Sequence, residues 1–148
     1  KKTALVLSGR VGGASGPIWG TAFLRAGTAL KDSPDPSAED AVAALRAAIE
    51  GIKQRGESDL GDKTLLDALI PATDRLEQEF AGGASASEAL AAAAETARES
   101  AEATKGMLAK KGRAAYSGER SRESVDAGAI AIAVLFERVS AAWRPTTV

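Results

Sequence analysis

The segment Gly61–Ala72, GDKTLLDALIPA, runs on into ATDRLEQEF as far as Phe80, and the reading of its proline decides the fold. Leu65, Leu69, Ala72, Leu76 and Phe80 recur every three or four residues, the spacing of one face of an α-helix. Pro71 lies inside that pattern. In an ordinary helix interior a proline removes one backbone hydrogen bond and costs about 3 kcal/mol. The unbroken stripe predicts one helix over 62–80 that bends to accommodate Pro71, with Asp62 able to cap its start.

Working outward, the same periodicity recurs. Ser37 precedes AEDAVAALRAAIEGIKQRG, in which Val42, Leu45, Ile49 and Ile52 fall at helical spacing, Asp40 suits the N-terminal dipole and Gly56 can end the helix. KDSPDPS before it reads as a turn. After AGGAS, Ser85 and Glu88 form a capping-box pattern and open a long alanine-rich helix. Lys110 and Lys111 suit that helix's C-terminal dipole, and Gly112 suits its C-cap. The last segment, AIAIAVLFERV, alternates like a strand, yet Ile132, Leu135, Val139 and Trp143 also fit a helix capped by Asp126. The alanine content and scarcity of aromatics favour helix. The expectation is an all-α antiparallel bundle, one domain over 1–148, with helices near 16–30, 37–54, 62–80, 85–110 and 126–143. Leu45, Ile49, Leu69, Leu76, Leu90, Leu135 and Phe136 are expected inside. KKTALVLSG at the start reads as a helix or strand end, not as a cleaved signal.

Composition narrows the chemistry. The 148 residues contain no cysteine and no histidine, so thiol catalysis, disulfides, His general bases and Cys- or His-ligated metals are excluded. Carboxylates, lysine, arginine, hydroxyls and backbone amides remain. The net charge of −1 gives no global field to recruit nucleic acid or an anionic membrane. The longest apolar run is too short to span a bilayer, so the chain reads as a cytoplasmic domain with no nucleic-acid or membrane partner.

Three loops carry candidate sites. VGGASGPIWGTAFLRAG, residues 11–27, joins glycines to Ser15, a possible cap, and Pro17, which suits a first helical turn. Such a turn can bind an anion, or it can serve tight helix packing; no Gly-Lys-Ser/Thr follows, so it is not a Walker A loop. In QRGESDLGDKT, Gly56 and Gly61 bracket a loop, and Lys63 is either a ligand or a solvated lysine beside a cap. In KKGRAAYSGERSRESVDAGA, Arg113, Arg120 and Arg122 crowd a glycine-containing loop; arginine forks suit phosphate oxygens, and a solvated basic loop is the alternative.

Taken in order, VGGASGPIWGTAFLRAG, GDKTLLDALIPA, ATKGMLAKKGRAAYSGERS and DAGA resemble the nucleotide-binding L domain of dihydroxyacetone kinases. The resemblance covers nearly the whole chain. It implies an antiparallel barrel of amphipathic helices that holds ADP or ATP at one end through its connecting loops. The implied partner is a K subunit carrying dihydroxyacetone covalently on a histidine. In some members a phosphotransferase-system M subunit rephosphorylates bound ADP. Carried over by position, Ala14 and Ser15 sit beside the nucleotide, Gly56 and Leu65 border its pocket, Arg113 approaches the phosphates or ribose, and Asp126 and Gly128 complete the last loop.

Two departures qualify the resemblance. The family holds two Mg²⁺ ions on a Gly-Asp-x-Asp-x-Gly stretch, which is expected upstream of Lys1. The family's Gly-His-x-Asp-Pro-Gly reads ESVDAG here, residues 123–128. The chain alone is therefore expected to be inactive, with no catalytic residue of its own, and a non-catalytic relative that regulates a partner protein is the alternative reading.

Overall fold

Pro71 sits inside a continuous helix in the computed structural model, which describes residues 2–144. The six α-helices among the described residues are α1 (Lys2–Arg10), α2 (Ser15–Ala29), α3 (Ala38–Gly56), α4 (Leu66–Ala81), α5 (Ala86–Ala103) and α6 (Ala127–Ala142). A 3-10 turn, Thr104–Gly106, and a longer 3-10 segment, Arg113–Glu123, link α5 to α6. There is no strand among the described residues, so the chain is all-α. No helix among the described residues is long and apolar enough to cross a membrane. Two compact units divide at Ser58 and Asp59.

In the first unit, α1, α2 and α3 pack as consecutive antiparallel hairpins. Glycines set how closely they approach. A Cβ on Gly20 would collide with the Ser8 hydroxyl of α1, and one on Gly16 with the Val11 carbonyl. A Cβ on Gly51 of α3 would lie 2.7 Å from Arg25 Cγ and 3.0 Å from Thr21 Cγ2 of α2. At the other end of this hairpin Gly56 faces Ile18. Ser37 and Asp40 form a full capping box at the start of α3, and Glu57 ends it in the left-handed region. The opening KTALVLSGR is the helix α1.

In the second unit, α5 runs antiparallel to α4 and α6. The Asp126 amide at the start of α6 bonds Thr104 at the end of α5, and Gly128 packs on Leu65 at the start of α4. The core between them is built of small residues: Ala68, Ala72, Ala89, Ala93, Ala97, Ala101, Ala129 and Ala133 are buried together with Leu66, Leu69, Leu76 and Ile132. Ser85 and Glu88 form the expected capping box of α5. Arg98 grips Glu137 across α5 and α6 with two hydrogen bonds of 2.7 and 2.8 Å.

Ile49, Leu69 and Leu76 are buried as expected, while Leu45, Leu90 and Phe136 are half-buried. Three expectations fail. The α6 stripe of Leu135, Val139 and Trp143 is exposed, Leu135 by 44%. Helix α6 instead buries Ala129, Ile132 and Ala133, and Leu135 is turned about a third of a revolution from the centre of that face. Helix α5 stops at Ala103 rather than near 110, because Thr104 turns its hydroxyl onto the Ala101 carbonyl and the chain tightens into a 3-10 turn. Lys110 and Lys111 therefore do not line its last turn, and Gly112, with φ of 65°, starts the 3-10 segment instead of capping α5. Finally, Asp62 does not cap α4, which begins at Leu66.

The close approach of α1 and α2 gives a direct check. Gly16→Ala should lower stability by about 1–3 kcal/mol, since the colliding atom is main chain and cannot rotate away. Gly9→Ala, in α1 with open space around its Cβ, should leave stability unchanged or raise it by up to about 1 kcal/mol. Denaturant titration of the two variants measures both.

Candidate functional site

The seven residues singled out by the sequence fall into two sets, one in each unit. In the first unit, Ala14 and Ser15 stand at the N-terminus of α2 and Gly56 ends α3, at the end of the hairpin where Gly56 faces Ile18. Ser15 does not cap: the N-cap is Ala14, which has no side-chain acceptor. Gly13 takes φ of 65°, the left-handed conformation that makes this tight turn possible. A cavity of about 310 Å³ in the same unit is lined by Ala4, Leu5, Ser8, Gly20, Thr21 and Leu24, and none of the expected residues lines it.

The second unit holds Leu65, Arg113, Asp126 and Gly128. A Cβ on Gly128 would sit 3.0 Å from the Asp126 carboxylate and 3.1 Å from Leu65 Cβ, so a larger residue there would need these neighbours to give by a few tenths of an ångström. Asp126 Oδ2 accepts from the Ala129 amide at 2.8 Å and caps α6. Its own amide donates to Thr104 Oγ1 at 2.8 Å. Burial pushes the Asp126 carboxyl above the usual carboxylate range, with nearby Asp67 acting in the same sense; amides of Ala129 and Gly128 and the charge of Lys63 oppose the shift.

Lys63 was open to reading as a solvated lysine, and it is the reverse. It is 3% exposed, adopts φ of 60° and turns its ammonium inward. Nζ donates to the carbonyl oxygens of Met107 at 3.2 Å, Ser124 at 2.7 Å and Ser121. Beside it, buried Asp67 accepts from Gly61 N at 2.6 Å and Thr64 N at 2.7 Å, pinning the loop before α4. Ser121 Oγ accepts from the Ala109 amide at 3.0 Å. Asp62 is occupied as well: Oδ2 accepts from Asp59 N at 3.0 Å and Oδ1 pairs with Lys110 at 3.4 Å.

Sequence reasoning missed Asp67, Thr104, Ser121 and the inward course of Lys63. Asp67 had a signal. Thr64-Leu-Leu-Asp67 is a capping-box pattern, and its return arm, Asp67 to Thr64 N, is present. A buried lysine on a left-handed residue has no comparable sequence signature.

The 3-10 segment itself is exposed. Gly118 kinks it at φ of 55°, and Tyr116 is 92% exposed. Arg122 pairs with Glu119 at 2.9 Å and bonds the Gly106 carbonyl. Arg113 and Arg120 have neither a hydrogen bond nor an ion pair among the described residues, so their guanidinium forks remain available to an anion. Among the described residues no three Asp, Glu, His or Cys side chains group so as to hold a metal ion.

Residues 1–141 match the DAK2 domain. The ADP-binding subunit DhaL of the PEP-dependent dihydroxyacetone kinase of Escherichia coli is 37% identical over 96% of this chain and 68% of its own length. The corresponding subunit of PEP-dependent dihydroxyacetone kinase 1 from Listeria innocua is 39% identical over 92% of this chain and 63% of its own length. The L-erythrulose kinase of Pectobacterium atrosepticum is 40% identical over 93% of this chain, which spans only 23% of that protein.

Asp126 sets a pH test. A carboxyl whose folded-state pKa is raised binds its proton more tightly when folded, so stability falls as pH rises from the ordinary carboxylate range through the raised value. Asp126→Asn keeps an acceptor for the Ala129 amide and removes the charge; it should flatten that fall and be at least as stable as the parent at pH 7. Asp126→Ala loses the cap and should be about 1 kcal/mol less stable than Asp126→Asn. Thermal unfolding across pH 3 to 8 follows both.

Proposed function

The chain belongs to the DAK2-domain family, and from that premise we propose that it acts as a nucleotide-binding domain, residues 1–148, of a cytoplasmic dihydroxyacetone-type kinase. The observation that carries this reading is the identity of 37–39% over 92–96% of the chain to two proteins named as ADP-binding subunits. ADP or ATP is the ligand, and the transferred phosphoryl group goes to a small keto-polyol held by a separate K subunit or domain. A phosphotransferase-system M subunit is the proposed partner where bound ADP is rephosphorylated in place. Nothing in the fold or among the relatives favours the regulatory alternative.

The residues fit a nucleoside diphosphate in the following way. On this reading Arg113 offers an unpaired guanidinium to phosphate or ribose oxygens, and Gly128 brings the last loop close to Leu65. Phosphoryl transfer depends on positioning and on charge neutralisation, which the family assigns to Mg²⁺. The described carboxylates do not suit that ion. Both oxygens of Asp67 and both of Asp62 already have partners, and Asp126 caps α6 through Oδ2. No step is therefore assigned to a metal held by these groups.

Calorimetric titration with ADP tests the reading. Arg113→Ala should weaken binding about ten- to a hundredfold, the loss of one charge-assisted bond. Arg75→Ala, which only removes a pair to Glu79 within α4, should leave it unchanged. Equal affinities for the two variants would take Arg113 out of the site. Affinity of residues 1–148 should also change little between Mg²⁺ and chelator. A strong magnesium dependence would place a metal on these carboxylates after all.

A further inference from the structure

We infer that Lys63 is a positioning residue for the nucleotide: it holds the Arg113-bearing segment in place from inside and does not itself meet the phosphates. This rests on the nucleotide-binding reading of the same loops. A lysine in Gly-Asp-Lys-Thr at the mouth of a helix looks like a phosphate ligand, but an ammonium has three N–H donors. Here three carbonyls, those of Met107, Ser121 and Ser124, engage Nζ, and the side chain is buried. No donor is left for a ligand.

The three acceptors bracket the segment that carries Arg113. Met107 precedes it, Ser121 lies within it and Ser124 follows it, two residues before the Asp126 cap. Apart from the Lys63 and Ser121 ties and the exposed Arg122 bond to the Gly106 carbonyl, the segment has little holding it: Ser121 is its one buried residue, and Arg113 and Tyr116 point to solvent. The left-handed backbone at Lys63, a conformation disfavoured for a residue with a Cβ, places the ammonium in this position. Removing it frees three carbonyls at once, the Ser121 one buried, so the segment loosens and Arg113 loses its fixed origin.

Three measurements decide the assignment. The first needs no variant. Acetylation of the native chain should leave Lys63 unmodified with and without ADP, while Lys105 and Lys110 react. A Lys63 that reacts freely and is shielded by ADP would make it a phosphate ligand and overturn the inference.

The second is amide exchange in Lys63→Met. Exchange should speed up by about tenfold or more in residues 107–124 and stay unchanged in the centres of α4, α5 and α6. Uniform acceleration across the second unit, or none, would overturn the local role.

The third is ADP affinity in a double-mutant cycle. Lys63→Met should weaken binding by about tenfold in the parent and hardly at all when Arg113→Ala is already present. Additive losses would overturn it. Should the parent chain bind no ADP, the nucleotide reading fails, whereas acetylation and exchange still decide whether Lys63 holds the segment. If Lys63→Met does not fold, the acetylation pattern of the native chain decides alone.

Discussion

The buried ammonium of Lys63 is the interaction on which the loop end of the second unit depends. A charge out of water is costly unless it is matched by well-placed partners, and three main-chain carbonyls supply them. Those carbonyls belong to a stretch with few helical bonds and few apolar anchors, and the lysine supplies a donor to the Ser121 carbonyl, which would otherwise be buried without one. The arrangement also needs a left-handed residue with a side chain, a local cost of about 1–2 kcal/mol that the surrounding bonds must exceed. Asp67 secures the same corner from the other side by fixing the amides of Gly61 and Thr64.

That corner is narrow because the helices meeting there are lined with alanine. Ala68 and Ala72 of α4, Ala93, Ala97 and Ala101 of α5, and Ala129 and Ala133 of α6 let the backbones approach where leucines would hold them apart. Each alanine buries little apolar area, so the core relies on contact between closely spaced main chains more than on large side chains. Gly128 extends this packing to the helix ends, where it brings the α6 cap against Leu65. Loop geometry at the candidate site thus follows from core composition.

The helices were legible because their signals are local. Ser37 and Asp40, Ser85 and Glu88, and Asp126 cap as their spacing implies. The stripe through Pro71 is one helix, and Thr73 adds a second perturbation by returning its hydroxyl to the Leu69 carbonyl at 2.8 Å. What was not legible depends on partners distant in sequence. The buried face of α6 is chosen by α5 and α4, and an all-apolar segment such as AIAIAVLF does not reveal which third of its surface they take. The end of α5 is fixed by a hydroxyl that also receives the Asp126 amide from 22 residues away. The fate of Lys63 is fixed by carbonyls 44 to 61 residues downstream. The candidate site shows the same division: the Asp126 cap could be read from the chain, whereas the groups that hold the Arg113 segment could not.

A separation of roles follows. Within the second unit, Lys63, Asp67 and Asp126 are charged or ionisable, lie close enough to influence one another, and are engaged by main-chain groups. Arg113 and Arg120 carry unpaired charge on the exposed 3-10 segment that the interior lysine ties down. Interior charge fixes the shape, and exterior charge remains free for an anion. Had Lys63 faced outward it would have added one more solvated cation to a loop already rich in arginine, at the expense of its order. Turned inward, it gives that loop a defined conformation, and a guanidinium fork recognises a phosphate well only when its main-chain origin is fixed.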